Sequence, residues 1–261
     1  MTIVRHPSVA GSFYPDDPTT LRHSIEQYIN EANLTPLHPK AVIAPHAGFI
    51  YSGPIAGSVY KILGQLSSKI TRVVLLGPSH RVAFKGCALS SADFYITPLG
   101  EIAIDKESYP SINALPFVHE RDIAHLEEHS LEVQLPFLQL LLRDFLLLPI
   151  VVGNATPEQV AVLLNLVWGG DETLIIISSD LSHYHSYDTA QTMDEKTSLA
   201  IEILEPKHIG HNQACGHIPI NGLLLAAKQR NMSARTIDLR SSGDTAGSKD
   251  QVVGYGAYVF E

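Results

Sequence analysis

Cysteine, positive charge and long apolar runs are all scarce in this chain of 261 residues. Two cysteines, Cys87 and Cys215, form at most one disulfide, so a disulfide scaffold is excluded and reduced thiols are expected. Only 18 Lys and Arg face 27 Asp and Glu, a net charge of −9, which argues against nucleic acid or an anionic membrane as the main partner. No signal peptide or membrane-spanning run is evident, so a soluble, cytoplasmic protein is expected.

The chain also lacks linkers, fixed-period repeats and low-complexity tracts. Its 45% hydrophobic content is enough for a substantial core, so we expect one domain over residues 1–261. A phosphate-binding loop is missing as well, because the glycine-bearing AGFIYSGPIAG lacks the lysine of GxxxxGK[ST]. Nucleotide chemistry of that type is therefore not expected.

The order of apolar runs predicts an α/β fold with a central, mostly parallel or mixed sheet flanked by helices. A separate antiparallel excursion is predicted in ADFYITPLGEIAID, as two short strands around a Pro-Leu-Gly turn. Strands are predicted at 41–44, 72–76, 145–153, 174–178, 234–240 and 252–260. Helices are predicted at 18–32, 55–66, 130–145, 157–168, 189–204 and 220–230.

Three of the strand-like runs stop on side chains that can bind a metal. AVIAPHAG ends at His46, RVVLLGPSH ends at His80, and TLIIISSDLSH ends at Asp180 and His183. The carboxyl ends of parallel strands meet at one edge of a sheet, where ligands and cofactors collect. A fourth segment, CGHIPING, adds the thiol of Cys215 just before a predicted helix. The sequence therefore predicts a mononuclear metal centre.

Each of these residues also has an ordinary structural interpretation. His46 could be a hydrogen-bonded loop residue, and Asp180 could be a ligand, an acid/base group, a carboxylate that orients a histidine, or an N-cap. Cys215 could be a ligand, a nucleophile or an inert buried thiol, and Cys87 fits the inert role better. His129 stands at the start of a predicted helix, as a cap or a site residue.

Taken together, the motifs of this chain resemble those of the Memo family (mediator of ErbB2-driven motility), in particular its bacterial and archaeal members. The resemblance runs nearly from end to end. The motifs that carry it are AGSFYP, APHAGFIYSGPIAG, LLGPSH, EEHSLEVQLPFL, SSDLSHY, CGHIPI and VGYGAYVF.

The resemblance implies a fold similar to that of class III extradiol dioxygenases of the protocatechuate 4,5-dioxygenase type. Those enzymes hold ferrous iron with two histidines and a glutamate. By this resemblance His46 and His80 take the histidine positions and Cys215 stands where the carboxylate is expected. Iron (Fe²⁺) is the first expectation, with copper or zinc as alternatives because a thiolate softens the site.

The same resemblance assigns roles beyond the metal ligands. His183, with Asp180 beside it, matches the position of an acid/base group or of a residue just outside the metal ligands, while His129 and His217 are expected to line the same pocket. Bacterial relatives often accompany a radical-SAM protein and a small companion domain, which implies such partners here.

Three functional hypotheses follow. The first is a metal-dependent redox enzyme, with iron or copper on the three predicted ligands and a small-molecule substrate. The second is a non-catalytic module that binds a peptide or small ligand, as the resemblance to the signalling-associated animal Memo implies. The third is a Cys-His hydrolase with Cys215 as the nucleophile, although no nucleophile-elbow motif surrounds that thiol.

Overall fold

The computed structural model of this protein describes residues 2–33, 36–142 and 144–261. It has the predicted α/β fold class, with a central mixed sheet and helices against it. In these ranges the strands are β1 (Val4–Arg5), β2 (Ala41–Ala44), β3 (Arg72–Pro78), β4 (Cys87–Leu89), β5 (Phe94–Thr97), β6 (Gly100–Ala103), β7 (Val118–Glu120), β8 (Leu146–Val152), β9 (Thr173–Ser178), β10 (His183–His185), β11 (Ala234–Ser241) and β12 (Val252–Phe260). The α-helices are α1 (Pro18–Glu31), α2 (Phe49–Leu63), α3 (Tyr109–Ile112), α4 (Ile123–Leu126), α5 (His129–Glu132), α6 (Leu135–Leu141), α7 (Pro157–Val167), α8 (Tyr187–Glu202) and α9 (His217–Gln229).

Four parallel strands form the centre of the large sheet. Its strand order is β10-β12-β2-β9-β3-β8-β4-β7. Strand β10 pairs with the first two residues of β12, and β11 pairs with residues 254–260 of the same strand. Strands β2, β9, β3 and β8 run in parallel, whereas β12 and β4 are antiparallel to their neighbours β2 and β8. Every residue of β2 and β9 is buried, which explains why these strands have continuous apolar sequences.

The predicted antiparallel excursion is confirmed as a second, smaller sheet. Strands β5 and β6 pair antiparallel through the Pro-Leu-Gly turn, and β1 adds to β5 in parallel. This sheet attaches the segment that follows β1 to the rest of the fold.

Helix α2 begins six residues before its predicted start. The carbonyl of Gly48 accepts hydrogen bonds from the N–H groups of Tyr51 and Ser52, so the first turn forms despite Pro54 inside the helix. After Leu63 the chain continues as one 3₁₀ turn through 66. The glycines, serine and proline at the start of α2 are typical of a loop, so the sequence alone did not predict this turn as helical. The turn packs against α1.

Small residues allow α1 and α2 to pack closely. A Cβ atom on Gly53 or Gly57 would come within 2.5 or 2.6 Å of atoms of Tyr28 on α1. Helix α1 itself starts as predicted, because Asp17 Oδ1 accepts a hydrogen bond from the N–H of Thr20 at 2.8 Å.

The helix predicted over 130–145, with a kink or a start expected at Pro136, is divided in two at that proline. Two short helices, α5 and α6, replace it, and position 143 lies outside the described residues. Pro136 has no N–H to donate to the carbonyl of Glu132, so one helical hydrogen bond is missing at the junction. The break turns α5 toward the carboxyl ends of the central strands.

The remaining helices lie close to their predictions. The capping box of α7 is confirmed, with Thr156 and Gln159 satisfying each other's backbone N–H groups. Helices α8 and α9 start two and three residues earlier than predicted. Among the described residues, no helix is both long enough and apolar enough to cross a membrane.

Candidate metal centre

The sheet brings the predicted site residues to one edge. In the register of β2 and β9, Ala44 lies opposite Ser178, so the segments leading to His46 and Asp180 leave the sheet side by side. Strand β3 is the other neighbour of β9 and leads to His80. Cys215 reaches the same place from the turn before α9, where its Sγ lies 3.3 Å from His46 Nε2.

The hydrogen bonds around His46 define its tautomer. Its Nδ1 lies 3.0 Å from Ser178 Oγ. That hydroxyl donates its own proton to the carbonyl of Ser130 at 2.5 Å and accepts from Gln134 Nε2 at 2.7 Å. Ser178 therefore accepts from Nδ1–H of His46, and the Nε2 lone pair faces Cys215.

His80 is oriented in the same way by a different partner. Its Nδ1 donates to Glu128 Oε1 at 2.9 Å, and its backbone N–H donates to Glu128 Oε2 at 2.6 Å. This leaves the Nε2 lone pair of His80 free to bind a metal.

The set His46, His80 and Cys215 has the geometry of a metal site. One ligand atom from each residue lies within 4.8 Å of the other two. Metal bonds of about 2.0–2.1 Å to nitrogen and about 2.3 Å to sulfur place two such ligands roughly 3.1–3.6 Å apart, and the 3.3 Å between His46 Nε2 and Cys215 Sγ falls in this range. The rings of His46 and His80 meet at 80°, so lone pairs in the two ring planes can point at one ion.

A second group, His80, Glu128 and His129, also has clustered ligand atoms. Here the two imidazoles are stacked, with centroids 4.6 Å apart and 23° between the planes. A nitrogen lone pair lies in its own ring plane, so one ion cannot lie close to both of these nearly parallel planes. The group is therefore poorly arranged for a shared metal, and Glu128 acts here as a hydrogen-bond acceptor.

Asp180 and His183 lie beside this set. Asp180 Oδ1 accepts the backbone N–H of His46 at 2.7 Å, so the carboxylate is fixed to the histidine loop and does not cap a helix. Nδ1–H of His183 donates to the carbonyl of Leu181 at 2.8 Å, because a carbonyl can only accept. The Nε2 of His183 is thus available for proton transfer.

Burial dominates the electrostatics of the site. It lowers the pKa of His46 well below the ordinary value of 6.5, with His80 adding to the effect. Burial likewise lowers the pKa of His129 to about 4 and raises the pKa of Cys215 to about 12. The pKa of Asp180 is raised, also by burial. The imidazoles of His46 and His129 are therefore neutral and the thiol of Cys215 is protonated at neutral pH.

A cavity of about 630 Å³ opens onto these residues. Aromatic side chains form much of its wall, and one of them, Phe13, packs on His129 with ring centroids 4.7 Å apart. Among the described lining residues there is no lysine or arginine. The lining comprises Phe13, His46, Ala47, Gly48, Tyr51, His80, His129, Asp180, His183, Tyr184, Ser242, Gly247, Ser248, Gln251, Val253 and Tyr255.

A β-bulge shapes the mouth of this cavity. The register between β10 and β12 shifts between His183 and His185, and Tyr184 between them has a φ of 59°. Left-handed backbone is uncommon for a tyrosine and concentrates at functional sites. The side chain of Tyr184 is 71% exposed at the rim.

All six residues predicted for the site lie in one region, and five of them line the cavity. His46, His80, Asp180, His183 and His129 line it, and Cys215 lies behind His46. His217, expected in the same pocket, is not among the lining residues and packs against His211 at 5.8 Å instead. The sequence reasoning did not identify Glu128, Gln134 and Ser178, although the carboxylate before His129 in EEHS was a signal for the first.

Comparison with known proteins agrees with the motifs. The family model described as "Memo-like protein" matches residues 5–259. The chain belongs to the Memo family. A MEMO1 family protein of Aquifex aeolicus is 38% identical over 98% of this chain and 99% of its own length, and one of Archaeoglobus fulgidus is 36% identical over 98% and 99%.

Among the solved structures that align with this chain is an uncharacterized protein JW3007 from Escherichia coli K12. The alignment covers 84% of this chain and 98% of that one, with a TM-score of 0.49 and 10% identity. The similarity to extradiol dioxygenases expected from the sequence stays a prediction.

Proposed function

We propose that this Memo-family protein binds one metal ion through His46, His80 and Cys215 and is a redox enzyme for a small organic substrate. The observation that supports this most is the convergence of two imidazoles and a thiol beside a cavity. Iron is the first candidate and copper the second, because a set of two nitrogens and one sulfur suits both better than it suits a hard cation.

A bound metal would supply electron transfer and polarise a substrate oxygen. The protein's own residues would do the rest. His183 Nε2 would accept or return a proton at the substrate, and Asp180 would hold the His46 loop in place. Phe13 and Tyr255 would exclude water and pack against an apolar or aromatic substrate. Because the cavity wall carries no fixed cation, a neutral substrate fits better than a free anion.

His129 is a second imidazole in the cavity, and in this proposal it contacts the substrate. Its Nδ1 is buried without a hydrogen-bond partner, and Glu128 Oε1 lies 3.5 Å away. A buried nitrogen without a partner is costly, and a substrate hydroxyl could satisfy it. His129 would then orient the substrate.

Elemental analysis tests the ligand set. The protein is purified anaerobically, reconstituted with iron or copper and desalted, and each metal is quantified per chain. Wild type is compared with His46→Ala and Cys215→Ser, and with Cys87→Ser as a matched control for a buried thiol outside the site.

We expect close to one iron or copper per wild-type and Cys87→Ser chain, and loss in the other two variants. A wild-type chain that retains neither metal would refute the proposal and favour a ligand-binding module. Metal-loaded protein would then be screened for oxidation of catechols and other aromatic compounds under oxygen.

A further inference from the structure

Glu128 is the charged side chain that lies immediately behind His80. It is 2% exposed and it accepts three hydrogen bonds. Two come from the backbone N–H and the Nδ1–H of His80, at 2.6 and 2.9 Å. The third comes from the N–H of Ser130 at 2.9 Å.

We infer that Glu128 is a positioning residue that fixes the tautomer and the orientation of His80, so that Nε2 faces the metal position. The metal part of this inference rests on the proposed function. The hydrogen-bond part does not, because it depends only on contacts within the chain.

The contacts exceed what a helix cap requires. Capping α5 takes a single acceptor for the N–H of Ser130. Glu128 uses both oxygens on His80, one for the backbone and one for the ring, which fixes the ring relative to its own main chain. A carboxylate behind a metal-binding histidine also makes the opposite nitrogen a better donor to the metal.

The carboxylate is itself held in place. Arg5 donates to the backbone carbonyl of Glu128 at 2.8 Å and forms a buried ion pair with Glu132 on α5. Burial alone would raise the pKa of Glu128, but the hydrogen bonds that it accepts from His80 and Ser130 hold that pKa below its ordinary value of 4.5. A rigid, ionised acceptor is what a positioning role needs.

His46 offers an internal comparison, because its Nδ1–H is accepted by the neutral hydroxyl of Ser178. The two imidazoles thus have separate acceptors, and a change at Glu128 should affect His80 and not His46.

Long-range ¹H–¹⁵N NMR of the apo protein with ¹⁵N-labelled histidine tests this, because the ¹⁵N shifts of the two ring nitrogens distinguish the Nδ1–H tautomer, the Nε2–H tautomer and the imidazolium. We expect wild-type His80 to carry its proton on Nδ1. In Glu128→Ala, His80 should move toward the Nε2–H tautomer while His46 stays protonated on Nδ1. Glu128→Gln keeps the side-chain volume if the alanine variant does not fold, and should shift the same signal part of the way.

The matched control is Asp105→Asn, which removes another buried carboxylate from an ion pair with Arg72 outside the cavity lining. Its His80 signals should match wild type even if its stability falls. His80 that stays protonated on Nδ1 in both Glu128 variants would overturn the inference.

Zinc affinity, measured by competition with a chelator, gives the second readout. We expect a loss of about 10–100-fold in both Glu128 variants, as for other partners of metal-binding histidines, and less than about threefold in Asp105→Asn. Affinities of the Glu128 variants within twofold of wild type would contradict the metal part. If wild type binds no zinc, iron or copper, the proposed function fails, while the NMR result still decides whether Glu128 fixes His80.

Discussion

Replacing Glu132 by glutamine should strongly destabilise the protein. Glu132 is fully buried and its carboxylate accepts from Arg5, from the N–H and the hydroxyl of Ser8, from the N–H of Val9 at 3.0 Å and from the hydroxyl of Tyr14 at 2.6 Å. The amide of glutamine removes the negative charge and turns one acceptor into a donor. At least one backbone N–H then loses its partner, and the cation of Arg5 stays buried.

The magnitude follows from that environment. Breaking a buried ion pair from one side costs about 3–5 kcal/mol, because the remaining charge is uncompensated. For a chain of this size, each kcal/mol lowers the melting temperature by roughly 2–4 °C, so a fall of ~6–20 °C is expected. Urea unfolding followed by the fluorescence of Trp168, the single tryptophan, measures the free energy directly.

Two further variants decide whether charge burial is the cause. Tyr14→Phe removes one hydrogen bond to the carboxylate and should cost about 1.5–3 kcal/mol. The double variant Arg5→Met with Glu132→Gln also removes the cation that Glu132→Gln leaves uncompensated, so it should recover part of the loss. A Glu132→Gln protein within 1 kcal/mol of wild type, or a double variant less stable than the single one, would refute this reasoning.

Two other outcomes are expected. Burial lowers the pKa of His125 to about 4 from 6.5, so below pH 6.5 the unfolded chain binds a proton that the folded chain excludes. Stability should fall by about 3 kcal/mol as the pH drops from about 6.5 to 4, and His125→Gln should lack this component of the slope in urea titrations. Gly254→Ala would place a Cβ 1.8 Å from the buried Asp194 carboxylate and should lower the free energy of unfolding by about 1–3 kcal/mol. Gly64 has a helical φ of −55°, and a Cβ there would lie 3.4 Å from the nearest atom, so Gly64→Ala should leave the free energy of unfolding unchanged. Equal losses of stability in the two alanine variants would contradict the steric argument.

The sequence predicted the central strands well because burial on both faces produces unmistakable apolar runs. The ends of β2, β3 and β9 carry His46, His80 and Asp180, so the edge that gathers them followed from the parallel order. The same reasoning did not predict α2 correctly, since its first turn depends on close contact with α1 and not on helix propensity.

The hydrogen-bond partners of the imidazoles could not be predicted from the sequence, because they are distant from one another along the chain. Glu128 and His80 are separated by 48 residues, and Gln134 and Ser178 by 44. Glutamate and glutamine are common on surface helices, so only the fold distinguishes a buried acceptor from a solvated side chain. Pro136 was visible, yet whether it starts or breaks a helix is decided by the packing of the segment before it.

The position of β9 between β2 and β3 makes the centre of the sheet depend on contacts between residues that are far apart in the chain. The strand formed by residues 173–178 pairs with two strands that start about 130 and about 100 residues before it, and such non-local pairing is slow. Until that pairing forms, Asp180 is not beside His46, and Cys215, 169 residues from His46 along the chain, has no position. We therefore expect a metal to be captured only by molecules that have finished folding, so that metal uptake marks maturation and does not guide it.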